Sequence, residues 1–290
     1  MRFSALGDVA MALPLLRALT VRPTLVTSPL AQTLLCDECD DFIVLRSKQL
    51  RDVFALIAQV RRRRFDVFVD LQNNDRSRLI RTLCGARRRH HDRIRPGVLP
   101  AFEHARRVFA ETGLLGPLDV RFESKPRDYI VLNAGSSPRW RSKRLPDAVW
   151  RRIAETLRAR FSLPFVLTGS ADEADYVAHI AGVVGAPAEN RAGRTSLVEL
   201  KRLLGAAFLV VSTDSGTMHI AAAMKTPTIG VFGATNWIHS QPFGPWSAVV
   251  YDRVFYPDGR PPPHSREDCL PYYEHLDIRD ALETLAIYLP

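Results

Sequence analysis

Apolar residues fall into two alternating rhythms along this 290-residue chain. Short unbroken apolar runs bounded by turn residues read as buried strands, and longer stretches with apolar positions three and four apart read as helices. In the first half, residues 24–27 and 41–45 predict short strands, and residues 65–71 (FDVFVDL) the clearest one. Residues 9–19 are apolar on nearly every side, as in a helix buried against a sheet, and Pro14 should bend it or mark an irregular turn. Residues 50–63 predict an amphipathic helix ending in a basic run, 76–84 a helix closed by Gly85, and 101–114 another. Residues 116–127 (GPLDVRFESKPR) are polar and turn-rich and read as a linker. Beyond them the alternation restarts more strongly. Strands are expected at 129–133, 165–168, 208–212 and 228–232. Helices are expected at 146–161, 171–183, 196–206 (capped by Thr195 or Ser196), 216–224 and 278–289.

Strands alternating with helices predict an α/β fold with parallel sheets covered on both faces. Two such blocks predict two Rossmann-like domains facing a cleft: residues 1–125, then 126–275, with residues 276–290 as a terminal helix packing back on the first domain. Only Met1, Arg2 and Phe3 precede the loop 4–7. The first sheet is therefore expected to lack its first strand. Ligands of doubly wound sheets sit at the carboxyl ends of the strands, so the loops just after each strand are the places to look for chemistry.

Composition narrows the class. Hydrophobic residues make up 46% of the chain, ample for two cores, and the net charge of +9 points to an anionic partner: nucleic acid, an acidic membrane face or a phosphorylated substrate. No apolar stretch is long enough to span a bilayer and no cleavable leader pattern is present, so a cytoplasmic protein is expected. Cys36 and Cys39 form a single C-x-x-C, with Cys84 and Cys269 apart, and ordinary reduced thiols are expected.

Four loops carry candidate chemistry. The segment 210–233 (VVSTDSGTMHIAAAMKTPTIGVFG) ends a strand in Thr213, Asp214, Ser215 and Gly216 and then opens a helix. Such a helix start offers unpaired amides and a positive dipole end to a phosphate, and His219 lies one turn further. The purely structural account makes Asp214 or Ser215 an N-cap and His219 a surface residue. The segment 133–146 (NAGSSPRWRSKRLP) holds Gly135, Ser136 and Ser137, then Lys143, a cation able to neutralise a diphosphate, or simply a basic loop. In the segment 168–173 (TGSADE), Glu173 is a ribose contact or a helix-start acid. In the segment 2–8 (RFSALGD), Asp8 is a general base or a helix cap. Basic residues concentrate at 61–64 and 87–89, followed by His90 and His91, with Arg76, Arg78 and Arg81 between them.

No P-loop, G-x-G-x-x-G after a strand, H-E-x-x-H or G-x-S-x-G occurs. This weighs against kinase, dehydrogenase, zinc-protease and esterase readings. Nucleic-acid binding rests on charge alone, without a recognised motif or stacking platform.

Taken together, RFSALGDV, FDVFVDLQNNDRS, KRLP, TGSADE and STDSGTMHIAAAMKTPTIGVFGATN resemble the ADP-heptose:lipopolysaccharide heptosyltransferases, glycosyltransferase family 9, in the same order along nearly the whole chain. The resemblance implies the glycosyltransferase B type of fold, with ADP-heptose as donor on the C-terminal domain and no cofactor or metal. It implies an anionic glycolipid acceptor, the lipopolysaccharide inner core, on the N-terminal domain. It casts Asp8 as catalytic base and Lys143 as the lysine at the donor phosphates. It assigns Asp214, Ser215, Gly216 and His219 to the diphosphate and sugar and Glu173 to the nucleoside, with Gly135, Ser136 and Thr213 lining the same loops. Arg61, Arg64, Arg76 and Arg78 are the expected acceptor contacts. The implied reaction is an inverting, metal-independent single displacement, completed by domain closure, in a monomer at the inner face of the cytoplasmic membrane with no nucleic-acid partner. The alternatives are a non-catalytic or degenerate nucleotide-sugar binder, a relative using another sugar donor, and a sugar-nucleotide epimerase.

Overall fold

The apolar runs become parallel strands and the periodic stretches the helices that follow them. The computed structural model describes residues 1–92, 99–124, 126–136, 138–262 and 271–289. Ser137 and Cys269, both singled out above, lie outside these. The chain divides into two units, Met1–Asp119 and Val120–Pro290.

The first unit runs α1 (Leu6–Met11), α2 (Leu13–Arg17), β1 (Leu25–Thr27), α3 (Pro29–Leu35), β2 (Phe42–Val44), α4 (Leu50–Arg63), β3 (Val67–Asp70), α5 (Asp75–Leu83), β4 (Arg88–His91) and α6 (Ala101–Ala110). The expected helix at 9–19 is two, broken at Ala12, because Pro14 stands at the start of the second, where its missing N–H costs nothing. β1 pairs in parallel with β2, and β3 with β4. No strand precedes α1. Instead the extended residues 1–3 run between the two pairs: the Arg2 N–H donates to the Val26 carbonyl (3.1 Å) and the Leu71 N–H to the Met1 carbonyl (3.0 Å). The basic run at 87–91 contains an unforeseen strand, β4. It pairs with β3 alone, and an outer strand tolerates Arg and His that a central one would not.

The second unit runs β5 (Ile130–Asn133), α7 (Asp147–Arg160), β6 (Phe165–Thr168), α8 (Ala174–Val184), β7 (Ala188–Asn190), α9 (Leu197–Ala206), β8 (Leu209–Thr213), α10 (Gly216–Ala223), β9 (Thr228–Phe232), α11 (Trp237–Ser240), β10 (Ser247–Tyr251) and α12 (Arg279–Thr284). Among the described residues its six strands form one parallel sheet in the order β10-β9-β8-β5-β6-β7, so β5 and β8 are central. β5, β6, β8 and β9 are buried at every position, as their unbroken apolar runs require. The outer strands β7 and β10 escaped the sequence reading because Ala-Glu-Asn is too polar and Ser-Ala-Val-Val-Tyr too isolated to stand out. The terminal helix places Ile278, Ala281, Leu282 and Leu285 in the core of this second unit.

Among the described residues no helix is long and apolar enough to cross a membrane.

Trp150 on α7 is fully buried in the second core. Trp150→Ala is expected to remove about 3–5 kcal/mol of stability. Chemical denaturation checks this, and a loss below about 1 kcal/mol would contradict a close-packed core at that point.

Candidate active site

The site of the second unit is built where β5, β6 and β8 end side by side. Asn133, the last residue of β5, is 2% exposed and polar in an otherwise apolar strand. Its carboxamide oxygen accepts from the Thr168 hydroxyl (3.0 Å) at the end of β6. Its Nδ2 donates to the hydroxyls of Ser212 (3.1 Å) and Ser215 (2.9 Å) at the end of β8. One side chain thus ties three strand ends together. The Thr213 hydroxyl adds a bond to the Gly135 carbonyl (3.1 Å), fixing the loop after β5 against the end of β8.

This network changes what the start of α10 can do. Ser215 stands at the N-cap position but its side chain makes no cap hydrogen bond, being engaged by Asn133 and Ser212. Asp214 does not cap either. Its carboxylate pairs with Lys143 (2.9 Å), which also donates to the Asp214 carbonyl (3.1 Å). Among the described residues the first amides of α10 therefore have no side-chain acceptor, and the helix presents its positive end with a lysine beside it. Lys143 closes a short 3-10 segment, Pro138–Lys143, and its ammonium lies 4.9 Å from the centre of the Trp140 ring. His219 is buried one turn into α10 and is not the surface residue of the purely structural account.

Glu173 closes the other side. Its Oε2 accepts from the Ser170 N–H (2.7 Å) and hydroxyl (2.8 Å), so the helix-start role is real. The same oxygen would stand 2.6 Å from a Cβ added to Gly135, and the Gly169 Cα 3.1 Å from it. Gly135 must be glycine because three loops converge there. Ser136 is buried with its hydroxyl donating to the Trp140 carbonyl (3.0 Å). Gly135, Ser136, Lys143, Glu173, Thr213, Asp214, Ser215, Gly216 and His219 are thereby all placed at one end of one sheet.

Sequence reasoning missed Asn133 and Tyr273. The signal for Asn133 was a lone amide closing an apolar strand just before a glycine loop. Tyr273 carried none, since its role depends on distant chain: its hydroxyl donates to the Ser142 carbonyl (2.9 Å), and its ring would lie 2.5 Å from a Cβ on Gly233. Burial pushes its phenol above the usual tyrosine range, keeping it a neutral donor next to Lys143.

In the first unit Asp8 is the third residue of α1, not its opening one, and its Oδ2 accepts the Ala5 N–H (2.9 Å). It also pairs with Arg2, which in turn donates to the Leu71 carbonyl. Gln72 holds the preceding loop through the N–H groups of Phe3 (2.7 Å) and Ser4 (3.0 Å). Beneath it the fully buried Asp70 pairs with Arg81 (3.1 Å) and accepts from the N–H of Gln72 (3.0 Å). The four arginines expected at the acceptor are not one cluster. Arg61 and Arg64 end α4, which leads into β3, whereas Arg76 and Arg78 open α5, which follows β3. The strand separates the two pairs. Arg61 is explained locally by a bond to the Leu83 carbonyl (3.2 Å). Among the described residues no group of three or more His, Cys, Asp or Glu side chains is placed to hold a metal.

The family model for glycosyltransferase family 9 (heptosyltransferase) matches residues 102–254. Lipopolysaccharide heptosyltransferase 1 of Pseudomonas aeruginosa is 36% identical over 110 residues, 37% of this chain and 29% of the relative. Lipopolysaccharide heptosyltransferase 3 of Escherichia coli is 43% identical over 94 residues, 32% of this chain and 27% of the relative. The matched region thus spans less than a third of each of these relatives. Among solved structures, ADP-heptose lipopolysaccharide heptosyltransferase II of Escherichia coli superposes with a TM-score of 0.71 at 21% identity, covering 100% of this chain and 98% of that one. Escherichia coli heptosyltransferase WaaC with ADP gives 0.67 at 21% identity, covering 86% and 91%. At such identities the likeness establishes the fold, two Rossmann-like domains of the glycosyltransferase B type.

The Asn133 network carries its own test. Asn133→Leu keeps the volume but takes the partner from the buried Thr168 hydroxyl, an unpaired buried hydroxyl costing about 1–3 kcal/mol, and removes the amide donor from Ser212 and Ser215. A loss of about 2–4 kcal/mol in chemical denaturation is expected. A loss under about 0.5 kcal/mol would show that the strand ends hold without it.

Proposed function

The chain belongs to glycosyltransferase family 9, and from that premise we propose that it moves a heptose from ADP-heptose to the inner core of lipopolysaccharide. The observation that carries this reading is the start of α10, left without a side-chain cap and flanked by Lys143, at the carboxyl ends of a parallel sheet. A diphosphate suits that position: its oxygens meet amide N–H groups and an ammonium, and Glu173 lies on the opposite side for the nucleoside hydroxyls. His219 faces the sugar and its phosphate in this reading.

The reaction is an inverting single displacement. Asp8 takes the proton from an acceptor hydroxyl, whose oxygen attacks the anomeric carbon as the bond to ADP breaks. Arg2 and the Ala5 N–H hold the Asp8 carboxylate in a fixed orientation. Lys143 and the α10 amides take up the charge growing on departing ADP, preorganised groups that need no reorganisation during the step. Arg76 and Arg78, at the start of α5, are the proposed contacts for the acidic acceptor. Because that acceptor is lipid-linked, the protein works at the inner face of the cytoplasmic membrane.

Two measurements check the assignment. Asp8→Asn is expected to lower turnover about 10²–10⁴-fold while ADP affinity by calorimetry stays unchanged. Near-normal turnover would refute the base. Lys143→Met is expected to weaken ADP binding about tenfold or more, since it removes a cation and leaves Asp214 uncompensated beside the phosphates. The double variant Lys143→Met/Asp214→Asn should recover part of that loss, and no difference between single and double would contradict the paired arrangement.

A further inference from the structure

Helix α4 of the first unit has a solvent face that neither its fold nor the donor site accounts for. Its inner stripe, Val53, Leu56, Ile57 and Val60, is buried. At about 100° per residue, Leu50, Arg61, Phe54, Ala58, Arg51 and Arg62 fall in sequence around roughly 120° of the solvent surface, starting beside the buried Ile57. Leu50 is 69% exposed and Phe54 53%, among the largest exposures of apolar side chains in the chain. Arg51 is 80% exposed, while Arg61 keeps one contact to the Leu83 carbonyl. The helix has one acid, Asp52, which lies on the far shoulder and accepts from the Ser47 hydroxyl. Arg51 has its Nε 3.7 Å from the Asp52 carboxylate, the one acid of the helix, so two large apolar side chains among three guanidinium groups leave this face net positive, the make-up of a helix lying in a lipid interface.

We propose that this face of α4 docks the protein on an anionic phospholipid bilayer, with Leu50 and Phe54 entering the acyl boundary and Arg51, Arg61 and Arg62 meeting headgroup phosphates. Charge complementarity selects this partner. A nucleic acid has no use for an exposed Leu and Phe between the cations, whereas a bilayer takes the apolar side chains into its acyl boundary and the guanidinium groups at its phosphates. Arginine, a planar and weakly hydrated cation, is suited to phosphate at such a boundary. The inference deepens the proposed function and rests on its lipid-linked acceptor.

The test is cosedimentation of the full chain with vesicles of phosphatidylglycerol and phosphatidylcholine, against phosphatidylcholine alone. Binding to the anionic vesicles only, weakened at least about tenfold in Leu50→Ser/Phe54→Ser with an unchanged melting temperature, is expected. No binding by the wild-type chain, or equal binding by the double variant, would overturn the proposal. A second variant, Phe54→Trp, reads insertion directly: added fluorescence, relative to wild type, should be quenched by brominated lipid, and absence of quenching would likewise overturn it. Calorimetry with ADP on the same preparations keeps the two readings apart. Docking lost with ADP binding intact concerns α4 alone, whereas loss of ADP binding with vesicle binding intact concerns the donor site.

Discussion

A buried parallel sheet brings the polar ends of its central strands together in a place where water cannot satisfy them all, and something must pair them. In the second unit that task falls to the Asn133 carboxamide, which accepts from Thr168 and donates to Ser212 and Ser215. A carboxamide suits this because it both donates and accepts in one plane, so a single residue serves three strands. The consequence reaches further than stability. By engaging Ser215, the network withdraws the natural cap of α10 and leaves the helix start open to an outside acceptor. The local cost of an uncapped helix, about 1 kcal/mol, is what keeps the position available.

Around that start, charge is arranged in pairs that are ready to be exchanged. Lys143 and Asp214 face one another in a partly buried setting, so neither stands as an isolated buried charge. In the proposed reading a phosphate would compete with Asp214 for the lysine and would also meet the α10 amides, to which the carboxylate makes no bond. Tyr273 stabilises the arrangement from behind by holding the Ser142 carbonyl, one residue from Lys143. The first unit solves a related problem with different groups. Asp70 and Arg81 fix the end of β3, Gln72 holds the loop at residues 3 and 4, and Arg2 steadies Asp8. Both units therefore use the first residues past a strand to immobilise a polar side chain, and both do so with partners from distant parts of the chain.

Much of this was legible in the order of residues. The alternation of apolar runs and helical periods marked seven of the ten strands among the described residues and most helices, because burial on both faces of a parallel sheet leaves a continuous local trace. Ser196 was visible as a cap because its partner, the Glu199 N–H, is three residues away. The nine residues proposed at the donor were all found from strand-loop-helix order, and the fold places them at one sheet end. The missed strands β4, β7 and β10 all lie outermost in their sheets. β4 and β7 are outer strands whose residues need not be apolar, so periodicity says little about them. The four arginines looked alike as basic residues, yet β3 stands between the two pairs.

What the sequence determined by itself, then, is what depends on near neighbours: element type, caps, turns and the α/β class, since these follow from contacts within a few residues. What only the tertiary structure decided is which polar groups are already spoken for. Lys143 meets Asp214 across 71 residues and Asn133 meets Ser215 across 82. Whether a serine caps its own helix or is held by an amide from another strand is a competition between a local and a distant partner. Only the folded geometry sets the distances that settle it, and here the distant partner won.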